Sequence, residues 1–194
     1  MVFSRPHFFT EAFRTMSKYS RLLIIATIAL SLAVAGCKKE KAAEADEFKF
    51  VTYPGAHYLP HLTDLTKQAH TVIKPGEEPS ATAIYDTDAS VDDVANFYVK
   101  AYGYSGIAPD ATNNLSAAKP AAYQRSGDLQ TDTKAIEGLL PKLNLHTDVA
   151  RAIGTYKAVE IASKPNRPRV TVQRPYFDVT TSQVVPRTLI LMSR

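Results

Sequence analysis

Three patterns of apolar and polar positions divide the chain. The first is a continuous apolar run, Leu22 to Ala35 (LLIIATIALSLAVA), with no charge inside it and Lys18 and Arg21 just before it. The second is helical. Val91, Val94, Ala95, Phe97, Tyr98 and Ala101 form a stripe at helical spacing behind Ser90, a good N-cap with Asp93 three residues on. Gly103 can close that helix in the left-handed conformation. A second helix is expected to be capped by Thr131 or Asp132 and to carry Ile136, Leu139, Leu140 and Leu143 on one face, with Pro141 ending or kinking it. Thr147 can cap a short turn through Ile153. The third pattern is β. Thr155–Ala162, Arg169–Phe177 and Val184–Met192 are rich in β-branched and aromatic residues and separated by turn-like loops. Shorter strands are predicted at Phe48–Val51, Ala81–Thr87 and Ala121–Arg125. Val170 and Val172 alternate with Arg169, Thr171 and Gln173, which predicts one wet face, whereas Leu189 to Met192 is apolar on both faces and reads as a central strand. From His57 to Ile73 the pattern is ambiguous.

These elements predict an α+β domain over residues 48–194: an antiparallel sheet with about two helices packed on one face, ending in a C-terminal three-strand meander. The 194 residues, 45% hydrophobic and 22% charged, suffice for one core. Lys38 to Glu47 (KKEKAAEADE) is a charged stretch without apolar periodicity, so residues 37–47 read as a tether.

The apolar run of 14 residues spans about 21 Å as a helix, short of the roughly 30 Å hydrocarbon core. Basic flank, short apolar segment and small residues make a signal peptide over residues 1–36. Met16 opens a compact basic segment, MSKYSR, and is the expected start of translation. Val34-Ala35-Gly36-Cys37 resembles the lipobox of bacterial lipoproteins. That resemblance implies signal-peptidase cleavage between Gly36 and Cys37, with a diacylglyceryl group and palmitate on the new N-terminal Cys37. It also implies, from Lys38 rather than Asp after the Cys, the inner leaflet of the outer membrane facing the periplasm. One acyl chain holds a bilayer marginally and two or three hold it durably. The alternative is a plain secretory or N-anchored segment beside a chance Cys.

The formal net charge of +4 belongs largely to the first 36 residues, since Arg5, Arg14, Lys18 and Arg21 face a single acid there, Glu11. The remainder is nearly neutral, which gives no general pressure toward nucleic acid. The charge is uneven, however: basic residues dominate 151–194 and acids dominate 37–150. Either the two parts pack and neutralise each other, or Arg167, Arg169, Arg174 and Arg187 form an anion-binding face toward headgroups or an acidic partner.

Little chemistry stands out. The only Cys belongs to the anchor, which excludes thiol catalysis, disulfides and Cys-based zinc. His57 and His61 have an i, i+4 spacing, but Pro60 argues against a helix there, so a metal site is not expected and the histidines read as solvent-facing. Tyr104-Ser105-Gly106-Ile107 lacks the second Gly of a nucleophile elbow. The acid pairs Asp92/Asp93 and Asp86/Asp88 read as capping and loop solvation. No cofactor is expected.

Tyr53-Pro54-Gly55-Ala56, Tyr85-Asp86-Thr87, Ser90 to Val94, Phe97-Tyr98 and Arg174 to Asp178 resemble small envelope lipoproteins of uncharacterised function. The resemblance implies no catalytic or ligand residue. The expectation is therefore a non-enzymatic binding or accessory module of the cell envelope, held to the membrane through Cys37, with a protein partner there. Two alternatives remain: an envelope hydrolase or carbohydrate-active enzyme with a site drawn from distant loops (His57, His61, Asp86, Tyr123), and an anionic-lipid-binding module using the C-terminal arginines.

Overall fold

The computed structural model describes residues 49–109 and 121–194. Gly36, Cys37, the tether and the signal segment lie outside the described residues. The elements run β1 (His57–Tyr58), α1 (Pro60–Ile73), β2 (Thr82–Thr87), α2 (Val91–Ala101), β3 (Ala122–Asp128), α3 (Leu129–Ala135), two 3₁₀ turns (Leu140–Leu143 and Val149–Arg151), β4 (Thr155–Ile161), β5 (Arg169–Arg174), β6 (Tyr176–Asp178), β7 (Gln183–Val185) and β8 (Thr188–Ser193). Six strands form one sheet in the order β1-β2-β8-β5-β4-β3, and every described neighbour pair is antiparallel. Strands β6 and β7 form a separate hairpin. The fold is α+β, and β4, β5 and β8 make the C-terminal meander with that hairpin inserted before its last strand.

The period-2 alternation of strands sorts the core. Register places Tyr85, Ile190, Val172 and Val159 in one row across the sheet, and Ala83, Met192, Val170, Ile161 and Ala122 in the next. These rows pack against Val91, Val94, Ala95, Tyr98, Val99 and Tyr102 of α2 and the residue after it. Ser90 caps α2 as its sequence requires: its hydroxyl accepts from the Asp93 N–H at 3.1 Å and donates to the Asp93 carboxylate at 2.6 Å. Gly103 follows with φ 65°.

The opposite face carries α1 over Ile84 and Leu191, with Tyr176 of the hairpin in the same cluster. Farther along, Leu129 of α3 packs with Ala152, Tyr156 and Ala158, and Ile136, Leu140 and Val149 close the end. Two helices, α1 and α3, thus pack on this face, and α2 covers the other. Helix α1 is the element that the ambiguous 57–73 pattern hid. Pro60 stands in its first turn, where a missing N–H costs nothing, so it starts a helix that His57 does not enter.

Several local expectations shift for similar reasons. Residues 49–51 form no strand; Phe50 packs on the α2 core from a coil. The second helix begins earlier, at Leu129, because Asp128 accepts the Thr131 N–H at 2.8 Å and outcompetes Thr131 and Asp132 as cap; that hydrogen bond holds the Asp128 carboxyl below its usual range. The segment ends at Ala135, and Leu140–Leu143 with Pro141 forms a separate 3₁₀ turn. Asp148 rather than Thr147 caps the next turn. Strand β3 runs on to Asp128, and Pro175 and Pro186 split the last two predicted strands. The polar side of β5 is not wet: Thr171 and Gln173 are buried beneath the second face's cover.

Candidate functional site

The two faces differ in how completely they close. Between α1, α3 with its following 3₁₀ turn, the β6–β7 hairpin and the sheet lies a partly open cavity of about 120 Å³. Its α1 wall is Leu62, Leu65, Thr66 and Ala69, a stripe at i, i+3, i+4 and i+7. The facing wall is Ile136, Leu139, Leu140 and Leu143; Ile84, Leu189 and Leu191 form the floor, and Tyr176, Phe177 and Val179 come from the hairpin.

The few polar groups on this wall are already bonded within the protein. Thr66 donates to the Leu62 carbonyl at 2.8 Å and Thr133 to the Leu129 carbonyl at 2.7 Å, each back along its own helix. Gln173 Nε2 donates to the Pro175 carbonyl at 3.3 Å. The Asp132 carboxylate accepts from the Tyr156 hydroxyl at 2.5 Å, and burial together with that acid pushes the Tyr156 phenol well above its ordinary range. What the cavity presents is mainly apolar, from aliphatic side chains and the rings of Tyr176 and Phe177. A cavity of similar size lined by aliphatic groups stays dry and accepts a small apolar molecule.

Tyr176 joins the cavity to a polar cluster at its margin. Its ring lines the cavity while its hydroxyl donates to Asp86 Oδ2 at 3.3 Å, and burial followed by the Asp86 charge pushes its phenol up. Asp86 is buried, contrary to the loop-solvation expectation, and is held by Arg187 Nε at 2.8 Å. Arg187 Nη1 reaches Asp88 at 2.8 Å, and its Nη2 lies 3.0 Å from His57 Nδ1. Burial works against the Arg187 charge, but bonding to Asp86 and Asp88 outweighs it and holds the guanidinium pKa above its ordinary value. A guanidinium has no acceptor, so His57 Nδ1 must accept in this geometry. The proton of a neutral His57 ring therefore sits on Nε2. Asp86 Oδ1, 3.7 Å from Nδ1, faces a lone pair and not an N–H. That is the reverse of the arrangement by which a carboxylate prepares a histidine as general base.

His61 lies 3.6 Å from Asp178 Oδ2. Burial raises the Asp178 carboxyl, but the side-chain and backbone hydrogen bonds from Thr180 outweigh it and leave it below its ordinary value. Among the described residues no three His, Cys, Asp or Glu side chains gather as a metal site, and His57 and His61 turn to different acids. His70, expected in solvent, is 2% exposed on the inner side of α1. Tyr123 stands on β3 beside Glu160, away from the cavity lining, so the four residues considered for an assembled hydrolase site do not converge.

The four arginines of the possible anion face occupy two places. Arg174 Nη1 donates to the carbonyls of Asp88 and Ala89, beside Arg187, at one end of β5. At the other end Arg169 lies 3.4 Å from buried Glu160, and Arg167 sits over the Tyr104 ring at 5.6 Å. Two basic residues of 151–194 pair with acids of the earlier part: Lys157 meets Asp92 at 2.8 Å and Arg187 meets Asp86 and Asp88.

Sequence reasoning missed the cavity because its lining comes from many elements, although Ile136, Leu139, Leu140 and Leu143 were a visible signal for one wall. Among the described residues no helix is long and apolar enough to cross a membrane. Comparison with protein-family models, with curated proteins and with solved structures finds no significant match to this chain.

Proposed function

We propose that this chain is a lipoprotein of the bacterial cell envelope, held to the outer membrane's inner leaflet by acylated Cys37, whose domain works in the periplasm as a non-enzymatic binding module. The observation that carries the binding role is the apolar cavity, whose polar wall groups are bonded internally. Such a wall can hold a hydrocarbon group by burial but offers no side chain poised to activate a substrate. The His57–Asp86–Arg187 geometry supports the same reading, because Nδ1 accepts from an arginine and is not oriented by the carboxylate. The anchor rests on the sequence Val34-Ala35-Gly36-Cys37 and the apolar run before it.

The test is metabolic labelling of the full chain with palmitate. Wild type is expected to take up label resistant to removal by detergent, and Cys37→Ser to take up none. An unlabelled wild type, or equal labelling of the variant, contradicts the anchor. Turnover of an envelope substrate by the purified protein, lost on His57→Ala, contradicts the non-enzymatic role and favours the hydrolase alternative. The anionic-lipid alternative would require salt-sensitive vesicle binding weakened by substitution of Arg167 and Arg169, the pair at the end of β5 away from the acid cluster.

A further inference from the structure

We infer that the cavity on the α1 face takes one acyl chain of a lipid whose head does not rely on a lone negative charge, a step that rests on the binding-module reading above. Three observations lead there. The first is chemistry: with the donor protons of Thr66 and Thr133 and a Gln173 amide N–H given to backbone carbonyls, a carbonyl or anionic ligand group entering the cavity finds few donors to replace its water. The second is size. About 120 Å³ admits the terminal few carbons of a chain or one small ring, not a folded peptide.

The third observation is charge. The ionisable lining group is the Asp132 carboxylate, and the margin bridged by Tyr176 carries Asp86, Asp88 and Asp178 against two arginines. Arg187 binds Asp86 and Asp88, and Arg174 donates to the Asp88 and Ala89 carbonyls. A bare fatty carboxylate placed there meets net negative charge, whereas the chain of an esterified lipid keeps its head away or zwitterionic. Of the four arginines considered for an anion, Arg167 and Arg169 stand elsewhere in the fold, and Arg174 and Arg187 are engaged at the margin by the Asp88 and Ala89 carbonyls and by Asp86 and Asp88. Leu65 and Leu139 are half-buried members of opposite walls, so a chain has a route between α1 and the segment after α3.

The test uses the full chain in cells fed a fatty acid that carries a photoreactive diazirine near the chain end and an alkyne for detection. Label on Cys37 without light reports the anchor; label that needs light reports a neighbouring chain. The expected result is light-dependent adducts mapping to α1 and to Ile136–Leu143, with the adduct mass of an esterified lipid. Ala69→Phe fills one wall and Leu139→Trp the other, and each variant that accumulates normally is expected to lose at least fivefold of those adducts while keeping Cys37 label. Adducts spread over the surface, adducts unaffected by either variant, or a free fatty acid as the adduct overturn the inference. Cys37 label without cavity adducts defeats the inference and leaves the anchor standing. Cavity adducts without Cys37 label defeat the anchor alone.

Discussion

The two faces of the sheet are built from the same strands and closed to different degrees. On one face α2 sets Val94, Ala95 and Tyr98 fully out of solvent against Val159, Val170, Val172, Ile190 and Met192. On the other, α1, α3, the 3₁₀ turns and a short hairpin cover the strands in three smaller clusters and leave a cavity between them. Helix α2 fills its sheet face with one apolar stripe that meets the strand periodicity. Several short segments meeting at angles leave gaps, and gaps lined by Leu and Ile are where an apolar ligand can lodge. The closed face holds the larger core cluster, and the open face holds the cavity on which the proposed binding role rests.

Truncation should separate the faces most sharply. Tyr98 is fully buried, stacks near Tyr102 and accepts the Tyr53 N–H at 3.2 Å, so Tyr98→Ala is expected to cost about 3–5 kcal/mol in chemical denaturation. Leu139→Ala, on the open face beside an existing void, should cost clearly less, about 1–2 kcal/mol. Equal costs would mean that the open face is as tightly packed as the closed one.

A second substitution probes how the cavity wall is fixed. A Cβ at Gly127 on β3 would overlap the Tyr156 hydroxyl, which donates to Asp132. Gly127→Ala should therefore displace Tyr156 and cost about 1–3 kcal/mol, whereas Gly138→Ala, with open space around it, should be nearly neutral.

The margin of the cavity should respond to pH in a defined direction. The Asp178 carboxyl is held below its ordinary 3.8, so its charged form is the one the fold favours. Its contribution is complete above that ordinary value and fades as pH falls through the lowered one. Asp178→Asn should lose about 1 kcal/mol at pH 7, and the gap to wild type should narrow below about pH 4. A gap that widens on acidification contradicts this. The smallest effect should come from filling: Ala69→Leu is expected to raise stability by about 0.5–1 kcal/mol by occupying void, and a loss would show the wall to be rigid there.

How much of this was readable follows the same division. Helix α2 declared itself through Ser90, Asp93 and an uninterrupted stripe, and the central place of β8 through Leu189 to Met192, because local signals and tertiary packing agree there. Helix α1 did not. Pro60 looks like a breaker until its position in the first turn is known, and His61, Thr63, Thr66 and His70 dilute the apolar stripe. The burial of Thr171 and Gln173 could not be read from β5 itself, since their partners, Glu160 on β4 and the Pro175 carbonyl, lie outside that strand. The polar margin was legible residue by residue but not as a set: Asp86 and Arg187 lie 101 positions apart in sequence, and only strand register brings them together. Cys37 and Gly36 remain sequence-based assignments outside the described residues.

The central claim, that an anchored module keeps an acyl chain on its open face, is tested most directly by weighing the intact full chain released gently from membranes. The predicted result is a polypeptide beginning at Cys37 with its acyl modification, carrying one further lipid that leaves on unfolding and is missing from Ala69→Phe. An unmodified chain that retains the residues before Cys37, or a modified chain that carries no second lipid, would contradict the account.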